Sequence, residues 1–359
     1  MTGHAGHAID LRTRLGHLFD EWREPGAAEL CALLQEMLNG DGSADGPMRL
    51  EQLKQEVYRL RLGGASGRSL VLKRLKPAIA HADRLVAERW LPTLGLGDRC
   101  PRLLGAAAQR AGTWVWHTYE DLGQESLAGQ REPRRLAAAV DLLADLHTRA
   151  AGHTLLPEVR GHAHDYGAHF FTTNIRDAIA ALQALTSPPS NVPREFAAAR
   201  DGLLHGLCTL REDAPRRVGA LEGAGGPETL LHGDLWPKNV FVTLAGDRPR
   251  ARLIDWDHVG VGPFSYDVST FLYQSSPQER PQILRRYREG VERAGWRLPD
   301  DEELDLLFHT AECARYAHCI VWAAMALLND GAQWAVSELL DWQRWLQTLR
   351  PPLSGRRLP

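Results

Sequence analysis

The segment HGDLWPKNVFVTLAGDRPRARLID, residues 232–255, constrains this chain more than any other. It opens on a polar turn in which Asp234 and Asn239 flank LWPK, and Pro237 stiffens that turn through its fixed φ. A strand, VFVTL, a turn, AGDRP, and a second strand, ARLID, follow. A hairpin of that length brings Asp255 back beside the Asp234–Asn239 turn. Two carboxylates and an amide then converge at one end of a small sheet. Oxygen donors of this kind suit a Mg²⁺ ion shared with phosphate groups. Phosphoryl transfer asks for little more than a base, metal ligands and positive charge on the phosphates.

The positive charge has a candidate. SLVLKRL reads as a strand, and alternation puts Val71 and Lys73 on one face, Leu70 and Leu72 on the other. The following helix carries Glu88, an acid of the kind that can hold such a lysine toward phosphates. Taken separately, Lys73 is an edge-strand surface charge and Glu88 a solvated helix position. Their order and spacing before the Asp234 segment favour the joint reading.

The chain of 359 residues is too long for one ordinary core, so two lobes are expected. The net charge of −3, without a basic stripe, argues against nucleic acid and anionic membranes as partners. Five scattered cysteines fit reduced thiols in a cytoplasmic protein, and MTGHAGHAID lacks the pattern of a secretory signal. The most apolar window, CIVWAAMALL at 319–328, has the length of a buried helix rather than a membrane span.

Residues 9–38 have the apolar spacing of two amphipathic helices, and NGDGSADGP (39–47) reads as a linker. Strand-like segments from 48 to 75 flank GGASG (63–67), read as a hairpin tip rather than a phosphate-binding loop. After Pro77 a helix runs to Gly95, and two more strands precede a helical region that TSPPSNVP (186–193) interrupts. The chain ends in helices over roughly 277–349. The expected organisation is a helical extension and linker (1–47), a strand-rich lobe (48–122) and a helical lobe (123–359) holding the catalytic loop and acceptor site.

VLKRL with Lys73, VAERWL with Glu88, YEDLG (119–123), LLADLH (142–147), LLHGDLWPKNVFV and LIDWDHVGVGPFSYDV (253–268) occur in one order. In these motifs the chain resembles the aminoglycoside phosphotransferase/choline kinase family over roughly residues 48–345. The resemblance implies an α+β, bilobal protein-kinase-like fold with a small β-rich N-lobe and a large helical C-lobe. It implies ATP or GTP and Mg²⁺ as cofactors. Asp234 would then accept the proton of a substrate hydroxyl, and Asn239 and Asp255 would bind Mg²⁺. Lys73, held by Glu88, would meet the nucleotide phosphates. YEDL would be the hinge, with the backbone of Glu120 and Leu122 on the adenine edge. His232 and Asp267 would support the catalytic loop. Asp257 would anchor the next loop or serve as a second metal ligand. One departure is that the turn expected over the nucleotide, in EQLKQEVY (51–58), has no glycine, so the Lys54 and Gln55 amides would approach the phosphates past side chains.

Only WDHVGVGPFSY separates Asp255 from Asp267, which leaves little room for an activation segment that docks a peptide. A small-molecule hydroxyl is therefore the expected acceptor: an antibiotic, sugar, amino alcohol or other natural product. Its pocket is expected among Tyr166, His169, Phe170, Trp256, Tyr316, His318 and Trp322. The acidic run DDEELD (300–305) serves equally as helix capping, so it does not single out a polycationic acceptor. The N-terminal helices are read as a packing appendage or, alternatively, as a docking surface for a peptide or partner protein. A nucleotide-binding scaffold without catalysis is the remaining alternative.

Overall fold

A computed structural model describes residues 11–20, 24–39, 46–63, 67–185, 195–245 and 248–355. Most of the expected linker, the centre of the GGASG tip, the break at 186–193 and the turn residues Gly246 and Asp247 lie outside the described residues. The chain begins with α1 (Leu11–Asp20), α2 (Ala27–Leu38), β1 (Met48–Lys54), β2 (Val57–Leu62) and β3 (Ser69–Leu75). Next come α3 (Pro77–Leu85), a π-turn over Val86–Trp90, the short α4 (Leu91–Thr93), β4 (Leu103–Ala108) and β5 (Val115–Glu120). Then follow α5 (Pro133–Ala150), α6 (Leu156–His162), β6 (His164–Asp165), α7 (Ala168–Ala184), α8 (Glu195–Glu212), α9 (Ala214–Ala224) and β7 (Thr229–Leu231). The hairpin β8 (Val240–Ala245) and β9 (Arg248–Leu253) precedes β10 (Gly260–Gly262), α10 (Ser265–Tyr273), α11 (Arg280–Arg293), α12 (Asp301–Asp330) and α13 (Gln333–Thr348).

These elements form two compact units. The first comprises residues 1–126 and 241–257, the second 127–240 and 258–359. The β8–β9 segment was expected in the helical lobe; by its contacts the hairpin, from Phe241 onward, belongs to the first unit. Leu253 N donates to Arg99 O at 2.8 Å, Arg252 Nη1 meets Glu120 Oε1 at 2.8 Å, and Arg250 pairs with Asp98. These polar bonds come from residues distant in sequence, which local pattern does not reveal.

The first unit is built on an antiparallel sheet ordered β1-β2-β3-β5-β4. Strand alternation assigns its two faces. Tyr58, Leu60, Leu62, Leu70, Leu72 and Trp116 are buried with Leu15, Leu30, Leu34 and Leu38 of α1 and α2. Polar contacts reinforce this: Trp116 Nε1 donates to Pro25 O at 2.9 Å, and Tyr58 OH to Glu24 Oε1 at 2.9 Å. The helices α1 and α2 are thus one wall of the unit's core. The opposite face carries Val57, Arg59, Val71 and Lys73. The helix α3 covers part of that face, with Asp83 Oδ2 at 3.0 Å from His117 Nδ1 and accepting from Tyr119 OH.

The β1–β2 hairpin closes through Gln55 and Glu56. Glu56 takes a left-handed φ of 64°, which a side chain disfavours. Arg74 holds it there: its N–H donates to Glu56 O at 2.9 Å and its guanidinium to Glu56 Oε1 at 3.0 Å.

The second unit is mainly helical. Its core joins Phe171, Ile175 and Leu182 of α7, Leu203 and Leu207 of α8, and Ala317, Ile320 and Ala324 of α12. A small sheet ordered β6-β10-β7 sets the loops that follow it. The apolar window at 319–328 lies in α12, and no helix among the described residues is long and apolar enough to cross a membrane.

Candidate active site

In the first unit, an open cavity of about 130 Å³ has apolar walls from Leu53, Val57, Val71, Val86 and Phe241, and residues Tyr119–Gly123 edge it. Its polar end is a charge cluster. Lys73 emerges from β3 on the cavity face and donates to both Asp255 and Asp257. Lys54 Nζ adds a bond to Asp255 Oδ2 at 2.7 Å. Burial alone would lower the Lys73 pKa, but Asp255, Asp257 and Asp83 outweigh it and hold the ammonium well above its ordinary value. Burial likewise opposes ionisation of Asp255, yet Lys73 and Lys54 hold it well below the usual carboxylate range. Asp257 moves the other way: burial and the adjacent Asp255 raise its carboxyl against the pull of Lys73. Asp255 is also a non-glycine residue at φ 68°, at the end of β9. A left-handed residue costs on the order of 1–2 kcal/mol, and aspartate is among the non-glycine residues that take this conformation most readily.

Glu88 does not reach this cluster. Its carboxylate accepts from Arg84 Nε at 2.7 Å, one helical turn away on a half-exposed face. Helical spacing puts Asp83, Val86 and Ala87 on the cavity side and turns Glu88 aside. The acid of α3 whose charge acts on Lys73, behind Asp255 and Asp257, is Asp83, which the sequence reading missed; the apolar i+3 and i+4 neighbours of Asp83 were the available signal. Along the cavity edge, Glu120 N–H donates to Arg102 O at 3.1 Å and its carboxylate accepts from Arg252. Asp121 accepts from Arg59 Nε at 2.6 Å, Ser69 Oγ at 2.6 Å and Gly123 N at 2.9 Å, which pins the segment after β5. Trp256, expected in an acceptor pocket, instead lines this cavity and donates Nε1 to Leu253 O at 3.2 Å.

In the second unit, the loop after β7 is organised by Asp267. Its carboxylate accepts from His232 N at 2.7 Å and Gly233 N at 2.9 Å, and lies 3.4 Å from His147 Nε2. Burial opposes its charge, but these donors hold the carboxyl below its ordinary value. Asp234 N donates to His232 Nδ1 at 3.3 Å. Asn239 Nδ2 bridges Asp234 O at 2.8 Å and Asp234 Oδ2 at 3.1 Å, closing the turn through Pro237. Gly233 has a φ of 80°, and a Cβ built there would lie 1.8 Å from His258 O, so no side chain fits. Lys238 is exposed, with its ammonium 4.8 Å above the Trp236 ring.

Asp234 opens onto a second cavity, also about 130 Å³, lined by Tyr166, Phe170, Tyr316 and His318 of the expected set. His169 is not part of it, and Trp322, one turn beyond His318 on α12, is 67% exposed. A residue the sequence reading did not single out is Arg315. It donates to Gly233 O at 2.9 Å, Tyr266 O at 3.2 Å and Thr270 Oγ1, and its Nη1 lies 4.0 Å from Asp234 Oδ1. The signal for it was the pair Glu312 and Arg315, three apart amid a largely buried stretch of α12. The acidic run 300–305 is used elsewhere: Asp300 receives Glu302 N and Glu303 N, and Asp305 receives Leu353 N and Ser354 N.

Residues 49–300 match the phosphotransferase enzyme family. No curated protein matches the chain. Among solved structures, an ethanolamine kinase of Plasmodium vivax aligns with a TM-score of 0.58 at 10% identity, covering 95% of this chain and 94% of that one. A choline/ethanolamine kinase family protein of Mesorhizobium loti aligns at 0.53 and 18% identity, covering 94% and 97%. The aminoglycoside phosphotransferase APH(3'')-Id of Streptomyces rimosus, in complex with ADP and streptomycin, aligns at 0.50 and 19% identity, covering 80% and 98%. At these identities the likeness shows a common kinase-like α+β fold.

Proposed function

Because the chain belongs to the phosphotransferase enzyme family, we propose that it transfers the γ-phosphoryl group of ATP or GTP to a hydroxyl of a small-molecule acceptor. The observation that carries this reading is the Lys73 ammonium, bound by two carboxylates at the polar end of an apolar cavity. A base and ribose fit the apolar part, and the phosphates the charged end. Glu120 N–H is already bonded within the unit, so the proposed adenine contacts are the Glu120 carbonyl and the Leu122 N–H. That a related fold binds ADP supports nucleotide use.

The residues present fit Mg²⁺ by donor chemistry. In the first unit Asp255 and Asp257 offer hard oxygens, and two ammonium groups already answer the charge at Asp255. Asp255 is the proposed ligand there. Bound Mg²⁺ neutralises charge on the phosphate oxygens.

In the second unit, Asn239 fixes one oxygen of Asp234, and Arg315 stands beside the other. Asp234 is therefore held as an oriented carboxylate. It accepts the acceptor's hydroxyl proton as the new O–P bond forms and the bond to the β-phosphate oxygen breaks, releasing the nucleoside diphosphate. Asp267, with His232 and Gly233, keeps the loop in the conformation that presents Asp234.

The test is a hydroxyl-acceptor screen read by diphosphate release, repeated with Asp234→Asn. The variant is expected to bind nucleotide as the native protein does and to lose about 10²–10⁴-fold in transfer. Undiminished transfer by the variant sinks the assignment.

A further inference from the structure

The cavity at Asp234 also bears on which hydroxyl compound is used, an inference that rests on the reading above. Among the described residues, Asp234 is the only carboxylate that lines it. That carboxylate already has Asn239 on one oxygen and Arg315 near the other. Glu312, the nearest further acid, is 1% exposed behind the wall and engaged with Arg315 and Ser269. An ammonium group entering here would shed its hydration shell without gaining a carboxylate beyond the already engaged Asp234.

Aromatic walls can bind cations through ring faces instead. Here several of those faces already have partners. Arg315 Cζ lies 4.5 Å over the Tyr266 ring, and Tyr166 stacks on Tyr266 with centroids 4.2 Å apart. Tyr316 is stacked on Trp345 and meets Trp342 edgewise at 4.8 Å. The Trp236 face carries Lys238. The rest of the lining is Phe170, Trp342, Cys319 and the imidazoles of His164, His258 and His318. Burial, together with the positive charge of neighbouring groups, lowers the pKa of His164 and His318, which keeps these two imidazoles neutral and able to share hydrogen bonds with uncharged hydroxyls.

We propose that the acceptor is an uncharged hydroxyl compound with an apolar ring body, and that Arg315 is the specificity-determining residue that excludes amines. The site selects against polycationic and quaternary ammonium alcohols by charge, not by size.

Isosteric acceptors test this: 4-tert-butylbenzyl alcohol against 4-(trimethylammonio)benzyl alcohol, with kanamycin as the polycation. Binding is followed by the fluorescence of Trp236 and Trp342, and transfer by ADP release. The neutral member is expected to bind and react at least tenfold better. His318→Glu adds a carboxylate to the wall, and is expected to shift the preference at least tenfold toward the ammonium member. A loss of stability would weaken both members alike, so the ratio isolates the charge effect. Equal or better use of the ammonium compound or kanamycin overturns the inference while leaving the phosphotransferase reading intact. Selective binding of the neutral member, with no transfer to any compound, supports the inference and sinks that reading. No binding of either isostere overturns the inference.

Discussion

Lys54 Nζ donates to Asp255 Oδ2 at 2.7 Å, so with Lys73 two ammonium groups share one carboxylate at the end of β9. The two are unequal. The Lys54 side chain is 57% exposed and that of Lys73 only 11%. Removing the first alters a solvent-screened contact. Removing the second leaves Asp255 and Asp257 without their buried cation.

Lys73→Ala is therefore expected to weaken nucleotide binding at least tenfold and to cost about 3 kcal/mol of stability. Lys54→Ala is expected to cost under about 1 kcal/mol. Nucleotide titration and denaturant unfolding of both variants check the contrast; equal effects would refute it.

Glu88→Ala is expected to leave nucleotide affinity and turnover within about twofold of native, since its partner is Arg84 on a half-exposed face. Asp83→Ala is expected to destabilise by about 1–3 kcal/mol, because His117 and Tyr119 lose a buried acceptor. Thermal unfolding together with steady-state kinetics separates the two.

The kinase-like plan was legible because its signals are periodic or local. Alternation in SLVLKRL put Lys73 on the cavity face, and the turn chemistry of HGDLWPKN placed Asn239 on Asp234. Glu88 was misplaced because a motif match fixes order but not helical phase. Arg315 was missed because its partners, Gly233 and Tyr266, are far away in sequence. Trp256 and Trp322 were assigned to a pocket by residue type alone, which says nothing about the side on which a ring falls.

His309 predicts an acid sensitivity. Burial, then the positive Arg217 and Arg350, lowers its pKa to about 3 from an ordinary 6.5. The unfolded chain therefore binds a proton that the folded protein refuses. The group's contribution to stability is complete above pH 6.5 and is lost as pH falls from there toward 3, by up to about 1.4 kcal/mol per pH unit. His309→Gln should flatten the fall of the melting temperature between pH 7 and pH 5. An unchanged slope would count against the assignment.

The N-terminal helices are expected to be inseparable from the first unit. Leu34→Ala, fully buried against the sheet, should cost about 2–5 kcal/mol, and deletion of 1–45 should yield insoluble or unfolded protein. A soluble, cooperatively melting deletion variant would instead favour a separable docking role.

Arg315 has a consequence for how such an enzyme can diversify. The helix that contributes Tyr316 and Cys319 to the wall of the second cavity also supplies the guanidinium that holds the carbonyl of Gly233, next to Asp234. Gly233 tolerates no side chain that could take over that support. Mutations on α12 that reshape the wall therefore act on the loop at Asp234 as well as on the cavity. New acceptor ranges should arise more readily from the α7 side, through Phe170 and its neighbours, where the wall can drift without disturbing the loop. Sequence variation among descendants of this chain should be correspondingly lopsided: permissive around Phe170, restrained around Arg315.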